Sequence, residues 1–361
     1  MNQKTFIYDS LPNRVLFGAG RVSEVKQEIE RLGAKRALVL ATPQQVDLAQ
    51  RLADLLDDLC VGIHDRAVMH VPYETVEAAL KQVKALGADA LVAPGGGSTI
   101  GLAKGLALEM GLPILAIPTT YAGSEMTPIW GLTKGGRKIT GRDPIVKPKT
   151  VIYDPELVLT LPPAFSATSG MNAMAHAVEA LYAENTNPIT SLMAEESIRA
   201  LAEGLPKVQQ DPSDLEARHD TLYGSWLAAT VLSSVGMALH HKLCHVLGGS
   251  FNLPHAEVHT VILPHATAYN ASHAPQAMQA IGRALGVEAD DAAGGIFDLS
   301  RGMSAPTTLK MLGLTEDQLD EAAGIAVQNP YYNPRPVTKE GVRELLGRAY
   351  VGLRPEPVAV A

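Results

Sequence analysis

A change of pattern near residue 160 constrains the fold more than any other feature of the sequence. Before it, short apolar runs typical of buried strands alternate with amphipathic segments typical of helices. Such alternation with short connections indicates a mostly parallel, Rossmann-like sheet with helices on both faces. The predicted strands are 36–41, 60–64, 89–94, 113–118 and 150–154, and the helices are roughly 21–33, 43–58, 73–87 and one segment after residue 94.

The two ends of this pattern are also informative. TFIYDSLPNRVLFG predicts a pair of short strands around a turn at Leu11, Pro12 and Asn13. Beyond Leu161 the periodicity is helical almost throughout. We therefore predict an α/β domain over residues 1–160 and an all-α domain over residues 161–361. The helices predicted in the second domain are 165–183, 190–210, 214–235, 236–249, 258–272, 275–286, 291–302, 305–312, 315–328 and 338–351.

Composition argues against several classes of partner. The net charge is −8, and no stretch is dense in Lys and Arg, so we expect no nucleic-acid partner and no anionic membrane surface. No apolar run approaches the length of a membrane span, and the opening MNQKTFIYDS lacks the apolar core of a signal peptide. The two cysteines, Cys60 and Cys244, make no disulfide framework. These features predict a cytoplasmic protein.

The segment DALVAPGGGSTIG places three glycines between a predicted strand and a predicted helix. Gly95, Gly96 and Gly97 let backbone N–H groups approach a pyrophosphate, and the helix N-terminus adds partial positive charge. Ser98 can cap that helix and offer a hydroxyl. A plain tight turn is the alternative, and the spacing differs from the G-x-G-x-x-G of the standard dinucleotide fold. We interpret the turn as a phosphate-binding site.

A second polar loop, PTTYAGSEM, follows the next predicted strand. Thr119, Thr120 and Ser124 cluster hydroxyls beyond the carboxyl end of that strand, where open α/β sheets bind ligands. A plain polar loop is the alternative, but two such loops after neighbouring strands favour a cofactor site. A carboxylate at the end of the first long strand would pair with the adenosine ribose hydroxyls and repel a 2′-phosphate. None stands near Thr42, so the sequence does not distinguish NADH from NADPH. Lys138 is a further candidate for contact with the cofactor.

The stretch SGMNAMAHAVEALY predicts a helix that places Asn172 and His176 on one face. An acidic residue four positions before a histidine would suggest two metal ligands, but here the first position is an amide. A second helix carries His241, Lys242 and His245 on one stripe, and a turn after Gly248 can bring His255 back toward it. One histidine alone is more often structural than functional. Six of the eleven fall within 26 residues, which favours a site: His240, His241, His245, His255, His259 and His265.

These motifs together resemble the iron-containing (group III) alcohol dehydrogenase family, which has a dehydroquinate synthase-like fold. The glycine turn, the TT…GSE loop, the N/D-A-x-x-H-A-x-E helix and the H-x3-H…PH segment occur in that order over nearly the whole chain. The resemblance implies that the glycine turn binds the pyrophosphate of NAD(P). It also implies a divalent-metal site formed by an Asp, a His four residues later and two His fourteen apart. The positions that match these four are Asn172, His176, His241 and His255, and His245 matches a histidine beside the nicotinamide.

Several departures from the family pattern resemble its maleylacetate reductase branch. They are Asn172 in the aspartate position, PTTYAGSEMTPIWG, Lys242 and NPYYNPRPVT. The branch implies NAD(P)H-dependent reduction of the carbon–carbon double bond of maleylacetate to 3-oxoadipate, in the degradation of aromatic compounds and with chlorinated substrates open. It also implies an enzyme that needs no metal, and the family implies a homodimer.

The substitution at Asn172 agrees with that implication. It keeps an oxygen but removes a negative charge, so metal affinity should drop, although three imidazoles can still bind zinc. A conjugated enone needs less polarisation than an isolated ketone, and requires mainly orientation, hydrogen-bond donors and a proton. We therefore expect no metal. If a metal binds, its expected ligands are His176, His241 and His255.

The remaining roles follow from the chemistry of an oxo-dicarboxylate substrate. We predict that His241 and His245 flank the reacting carbons, and that Asn172, His176 and His255 bind substrate oxygens. Lys242 is the predicted partner of a substrate carboxylate, with a solvated lysine as the alternative. Tyr331, Tyr332 and Arg335 can also contribute, unless NPYYNPRP is only a rigid surface turn.

Three rival functions stay open at this point. The first is a metal-dependent alcohol or polyol dehydrogenase of the same family, against which Asn172 argues. The second is a dehydroquinate synthase-like lyase, which would need more cationic residues near the histidines than this chain offers. The third is a cofactor-binding protein without catalysis, which the dense histidines disfavour.

Overall fold

The strand–helix alternation of the first part of the chain produces one parallel six-stranded sheet. The computed structural model describes residues 6, 8, 13–329 and 331–359. The sheet has the order β1-β8-β5-β4-β2-β3, and every neighbouring pair in it is parallel. The strands are β1 Arg14–Phe17, β2 Ala37–Leu40, β3 Cys60–His64, β4 Ala90–Gly95, β5 Ile114–Pro118, β6 Ile129–Lys134, β7 Arg137–Arg142 and β8 Thr150–Tyr153.

Four α-helices connect and cover this sheet: α1 Val25–Arg31, α2 Val46–Leu56, α3 Tyr73–Leu86 and α4 Gly97–Met110. The strands β2, β4 and β5 are fully buried because they are continuous apolar runs with helices on both faces. One hydrophobic core joins α1 and α2 to this sheet. Because β2 pairs with β3 on one side and β4 on the other, the chain reverses its direction across the sheet between β2 and β4. Ligands of open α/β sheets bind at such a point.

Strands β6 and β7 form an antiparallel hairpin that was not predicted from the sequence. Its turn consists of Gly135 and Gly136, both with positive φ, as a tight two-residue hairpin requires. The Gly-Gly pair was the missed signal. Of the pair of strands predicted near the N-terminus, the first lies outside the described residues except for residues 6 and 8, which are not assigned to a strand. The second is β1, and it pairs with β8 in parallel.

The rest of the chain is helical, as predicted. The helices are α5 Pro163–Leu181, α6 Pro188–Gln210, α7 Leu215–Ser234, α8 Leu239–Phe251, α9 His255–Asn270, α10 Pro275–Leu285, α11 Ala292–Gly302, α12 Gln318–Ala326 and α13 Lys339–Val351. A core of buried residues joins α8, α9, α12 and α13. The predicted fold class is thus confirmed: a parallel-sheet α/β region followed by an all-α region.

Two details of the helical region differ from the prediction. The helix predicted over 305–312 is wrong, because residues 305–308 have no regular structure and residues 309–313 form turns. Leu309 and Leu314 are nevertheless in the core. The helix α8 continues through Gly248 and Gly249, and the chain reverses at Asn252, which adopts φ 53°. Among the described residues no single helix is long and apolar enough to span a membrane, although the bent pair α7 and α8 meets both limits together.

By its internal contacts the chain separates into two compact units, Ser10–Leu161 and a second that comprises mainly Pro162–Ala361. We call them the α/β unit and the helical unit. The predicted roles of residues 1–160 in cofactor binding and of residues 161–361 in carrying the histidine site stay predictions.

Candidate active site

The glycine turn connects β4 to α4 with a backbone that excludes side chains at two of its three glycines. Gly95 has φ 141°, and a Cβ atom there would lie 2.6 Å from Oγ1 of Thr99. A Cβ atom on Gly96 would lie 3.0 Å from the side chain of Thr120. A Cβ atom on Gly97, in contrast, would meet no protein atom within 4 Å. The turn therefore leaves open space beside the first residue of α4.

The first turn of α4 is also electrostatically suited to an anion. Its N-cap is Gly96, no side chain caps it, and it carries no acidic residue. The prediction that Ser98 caps this helix is wrong, because Ser98 lies within the first turn. Free N–H groups and the helix dipole favour negative charge at such an N-terminus.

The two predicted cofactor loops lie side by side at the carboxyl edge of the sheet. The N–H of Thr119 donates to the carbonyl of Gly95 at 3.1 Å. Gln45, which follows β2, donates from Nε2 to Oγ1 of Thr119 at 3.0 Å. The ends of β2, β4 and β5 are thus joined by hydrogen bonds at the reversal between β2 and β4. Gln45 was not among the predicted site residues, although its place directly after a predicted strand was a usable signal.

Ser124 and Lys138 have different positions. The carbonyl of Ser124 accepts a hydrogen bond from the buried Lys104 ammonium at 2.7 Å. Lys104 also donates to Thr127 and Ile129, so it holds the loop after β5 in place. Burial lowers the pKa of Lys104 to about 7, although the nearby Glu125 carboxylate opposes the shift. Lys138 is exposed on β7. Its contact with the cofactor stays a prediction.

In the helical unit, one face of α5 carries Asn172, His176 and Glu179. Glu179 is fully buried, and its carboxylate accepts three hydrogen bonds from the beginning of α8. Oε2 accepts from the N–H of Ala238 at 2.8 Å and from Nδ1 of His241 at 2.7 Å, and Oε1 accepts from the N–H of His240 at 2.8 Å. Since α8 has no cap of its own, a carboxylate from α5 serves that function.

Glu179 also determines the tautomer of His241. A carboxylate accepts hydrogen bonds, so Nδ1 of His241 carries the proton and Nε2 is left with its lone pair in the neutral ring. No role was predicted for Glu179 from the sequence. The signal was present in the N/D-A-x-x-H-A-x-E motif, where Glu179 lies three residues after His176 on the same helix face.

Several buried polar atoms near this carboxylate have no partner among the described residues: Oδ1 of Asn172, Nδ1 of His176, Nε2 of His241 and Nε2 of His259. The rings of His176 and His241 are stacked with centroids 5.0 Å apart. Burial, with the neighbouring histidines, holds the pKa of His176 well below its usual range. The ring is therefore neutral near pH 7. Unpaired buried acceptors are costly, and their concentration here indicates a place for a ligand.

The exposed members of the cluster border these buried ones. His245 and His255 are exposed, with ring centroids 6.4 Å from His241 and 4.4 Å from His259, respectively. Ring contacts through His241 and His259 thus bring together His176, His245 and His255. Asn172 lies one turn before His176 on the same face of α5. The predicted roles of these residues stay predictions. His265 lies apart from this cluster, beside Phe297.

A second layer of residues lies behind His241. Nε2 of His240 and Nδ1 of His259 are 2.9 Å apart, and Sγ of Cys244 is 3.5 Å from Nε2 of His240. All three side chains are buried. Their ligand atoms lie within 4.8 Å of one another, close enough to hold a metal ion.

Lys242 faces the segment NPYYNPRP. Its Nζ lies 5.6 Å from the ring centroid of Tyr331, whose buried hydroxyl has no partner within the described part of the chain. Burial and the charge of Glu179 raise the pKa of Tyr331, so the phenol stays protonated and can donate. Asn333 accepts from the N–H of Leu239 and exchanges two hydrogen bonds with Asn270. The segment is therefore tied to the beginning of α8 and is more than a surface turn.

The donor set at the front of the cluster fits a divalent cation. The amide oxygen of Asn172 and imidazole nitrogens of His176, His241 and His255 are ligands that zinc and iron accept. Nδ1 of His241 donates to Glu179, which is the outer carboxylate typical of metal-bound histidines. The carboxylate of Glu179 thus supplies, one hydrogen bond behind His241, the negative charge that Asn172 lacks.

Comparison with known proteins agrees with both units. Residues 12–155 match the family model "Iron-containing alcohol dehydrogenase", and residues 166–350 match "Fe-containing alcohol dehydrogenase family, C-terminal". A maleylacetate reductase of Sphingobium indicum is 56% identical, over 97% of this chain and 99% of that protein.

Solved structures also match nearly the whole chain. The crystal structure of maleylacetate reductase from Agrobacterium tumefaciens has a TM-score of 0.95 and 50% identity, and covers 98% of this chain and 100% of that one. A putative alcohol dehydrogenase from Ralstonia eutropha has a TM-score of 0.95 and 58% identity with the same coverage.

The prediction that no metal is expected is wrong. Both matched family models describe iron-containing proteins, which implies a bound metal, and together they cover most of the chain. The structure contains groups able to hold one, including His240, Cys244 and His259. The prediction failed because it counted only the charge of the direct ligands and overlooked Glu179, which is buried one hydrogen bond away.

Proposed function

The chain belongs to the iron-containing alcohol dehydrogenase family, and from that premise we propose that it is an oxidoreductase that reduces maleylacetate to 3-oxoadipate with NAD(P)H. The relatives named maleylacetate reductase match it over nearly their whole length, at 48–56% identity among eight of them. The substrate is a small oxo-dicarboxylate, and the reaction belongs to aromatic-compound catabolism.

The observation that carries this proposal is a set of unpaired buried atoms on α5 and at the beginning of α8. Asn172, His176 and His241 each have a buried polar atom without a partner among the described residues, and the rings of His176 and His241 are stacked. An oxo-acid offers oxygen atoms for such a region, and Lys242 offers fixed positive charge for a carboxylate. The dicarboxylate substrate and this mixture of imidazole, amide and ammonium groups therefore agree in chemistry.

The α/β unit supplies the cofactor site. The first-turn N–H groups of α4 bind the pyrophosphate, with the open space beside Gly97 accommodating it. Hydroxyls of Thr119 and Thr120 border the same turn. NADH and NADPH both suit this site.

In the reaction, the nicotinamide gives a hydride to an alkene carbon of the enone, the carbon–carbon π bond breaks and negative charge builds on the conjugated oxygen. A proton then adds to the adjacent carbon, which leaves 3-oxoadipate and NAD(P)⁺. His241 is held by Glu179 in one tautomer and orientation, and His245 is the exposed member of the same stripe, suited to the proton step. The neutral imidazole of His176 and the amide of Asn172 orient the substrate oxygens.

The metal implied by the family would be held by Asn172, His176, His241 and His255. When bound, a divalent cation supplies positive charge that stabilises a developing oxyanion. The amide in place of a carboxylate leaves that cation with more net charge.

Two further features are part of the proposal. A cytoplasmic location is supported by the two free cysteines, Cys60 and Cys244. A homodimer with no nucleic-acid or membrane partner is supported by the acidic net charge and by the family.

The decisive experiment measures oxidation of NADH and of NADPH by the purified full chain with freshly made maleylacetate, and identifies the product. We expect rapid oxidation with stoichiometric 3-oxoadipate, and little activity on simple alcohols and polyols with NAD⁺. No oxidation with either reduced cofactor, together with oxidation of an alcohol, would instead establish the alcohol dehydrogenase alternative.

A further inference from the structure

The His240, Cys244 and His259 group is separate from the donors that the family uses for its metal. His240 and Cys244 lie four residues apart on α8, on one face of the helix, and His259 reaches them from α9. Each of the three side chains has an exposed fraction of 1% or less. None of them belongs to the set Asn172, His176, His241 and His255.

The distances in this group are close to those of a coordinated ion. Zinc bonds of about 2.0–2.1 Å to nitrogen and about 2.3 Å to sulfur place tetrahedral ligands roughly 3.3 Å (N to N) and 3.6 Å (N to S) apart. The observed separations are 2.9 Å between the two nitrogens and 3.5 Å between sulfur and the His240 nitrogen. The two nitrogens would have to separate by a few tenths of an ångström, and the third pair, Sγ of Cys244 and the His259 nitrogen, lies within 4.8 Å.

Charge balance also suits a divalent ion. Binding forms a metal–sulfur bond and releases the thiol proton to solvent, so Cys244 contributes one negative charge. Glu179 is a fully buried carboxylate bonded to the N–H of His240. The thiolate is therefore the negative charge that belongs to this site alone, and Glu179, which also bonds Nδ1 of His241, supplies part of a second.

We propose that His240, Cys244 and His259 form a second metal site, with three protein ligands, for a thiophilic cation of the zinc class that joins the beginning of α8 to α9. A thiolate with two imidazoles selects such ions over magnesium or calcium. A bound metal would fix the positions of these three side chains directly behind His241. The proposal does not depend on the proposed reaction.

Cobalt titration of the chelator-treated full chain, without oxygen, tests the site by two readouts other than activity. Thiolate-to-cobalt charge transfer in the near ultraviolet reports a sulfur ligand, and metal analysis counts the ions. We expect the absorption band and about two cobalt ions per chain. Cys244→Ser should lose the band and about one ion, whereas the matched variant Cys60→Ala should lose neither. His176→Ala should keep the band.

Wild-type protein without a band, or a band that persists in Cys244→Ser, overturns the proposal and leaves the three residues as a hydrogen-bonded group only. If Cys244→Ser does not fold, X-ray absorption of the zinc-loaded wild type decides instead. A sulfur neighbour at about 2.3 Å is expected, and a shell of nitrogen and oxygen alone contradicts the site.

Discussion

The glycine turn of the α/β unit and the histidine cluster of the helical unit are built by different means. The turn consists of backbone: Gly95, Gly96 and Gly97 are adjacent in sequence and shape the site by lacking side chains. The cluster consists of side chains from α5, α8 and α9. The hydrogen-bond partners of Glu179 lie 59 to 62 positions after it in the sequence. A site made of local backbone can be read from a short motif, whereas a site made of distant side chains depends on the packing of helices.

The strongest test of this comparison is the removal of Glu179. Glu179→Ala leaves Nδ1 of His241 and the N–H groups of Ala238 and His240 buried without an acceptor. We expect a loss of about 3–5 kcal/mol in the free energy of unfolding, as for other broken buried pairs, and a fall in kcat/KM of more than about 100-fold. Urea unfolding and steady-state kinetics measure both.

The matched control for that prediction is Glu195→Gln. Glu195 pairs with Arg283 at an exposed surface, so we expect a change of less than about 1 kcal/mol. A Glu179→Ala variant as stable and active as this control would show that the cluster does not depend on its buried carboxylate.

Acid should reduce the stability of the helical unit through protonation of His265. Burial and Arg348 lower the pKa of His265 to about 4, so the folded state binds fewer protons than the unfolded state, whose pKa is about 6.5. Its contribution to stability is therefore complete above about pH 6.5 and is lost as the pH falls toward 4, by about 3 kcal/mol in total. The charged groups that line the adjacent cavity are Arg335, Glu344, Arg348 and Glu356.

Urea unfolding as a function of pH checks this contribution. His265→Asn should flatten the loss of stability between pH 6.5 and 4 relative to the wild type, whereas His273→Asn, at an exposed position, should leave it unchanged. Equal slopes for all three proteins would assign the acid sensitivity to other groups.

The backbone nature of the cofactor site is tested at Gly97. A Cβ atom there meets no protein atom within 4 Å, so Gly97→Ala should leave the melting temperature unchanged or slightly raised. The same Cβ atom occupies space assigned to the pyrophosphate, and we expect NADH or NADPH to bind about tenfold more weakly. Calorimetry and thermal denaturation provide the two values.

Gly302→Ala is the control, since that residue also has open space around it and lies in the helical unit. Unchanged cofactor affinity in Gly97→Ala would show that the pyrophosphate does not bind beside Gly97.

The smallest expected effect concerns Lys242. Lys242→Ala removes a fixed positive charge, and we expect KM for maleylacetate to rise about fivefold, roughly 1 kcal/mol, with cofactor affinity unchanged. Lys207→Ala, at an exposed position on α6, is the control. An unchanged KM for the dicarboxylate would make Lys242 a partner of Tyr331 and not of the substrate.

Most of the fold followed from local pattern, and its exceptions have identifiable causes. Strands β2 to β5 and β8 and the helices of the second unit were predicted within a few residues because apolar periodicity decides them. The hairpin of β6 and β7 was missed because β7 is almost wholly exposed and polar and β6, IWGLTK, does not alternate apolar and polar residues. The helix predicted over 305–312 is wrong although Leu309 and Leu312 have helical spacing, because the segment consists of irregular chain and turns and only Leu309 of the two is buried.

The candidate site was predicted in part. Asn172, His176, His241 and His255 were identified from motif spacing. The structure stacks His176 on His241 and leaves buried atoms of Asn172, His176 and His241 without partners among the described residues. Glu179 was missed because its partners lie on another helix, and the expectation about the metal failed with it. Gln45 was missed for a similar reason, since its partner Thr119 follows a different strand.

The sequence by itself determined the elements that depend on neighbouring residues: the strand–helix alternation, the glycine turn, and the helix faces that carry the histidines. Only the tertiary structure decided which atoms of those histidines are paired and which are left for a ligand. The physical reason is that hydrogen bonding and burial of an imidazole depend on what packs against it. For His241 that is a carboxylate on a helix far away in the sequence.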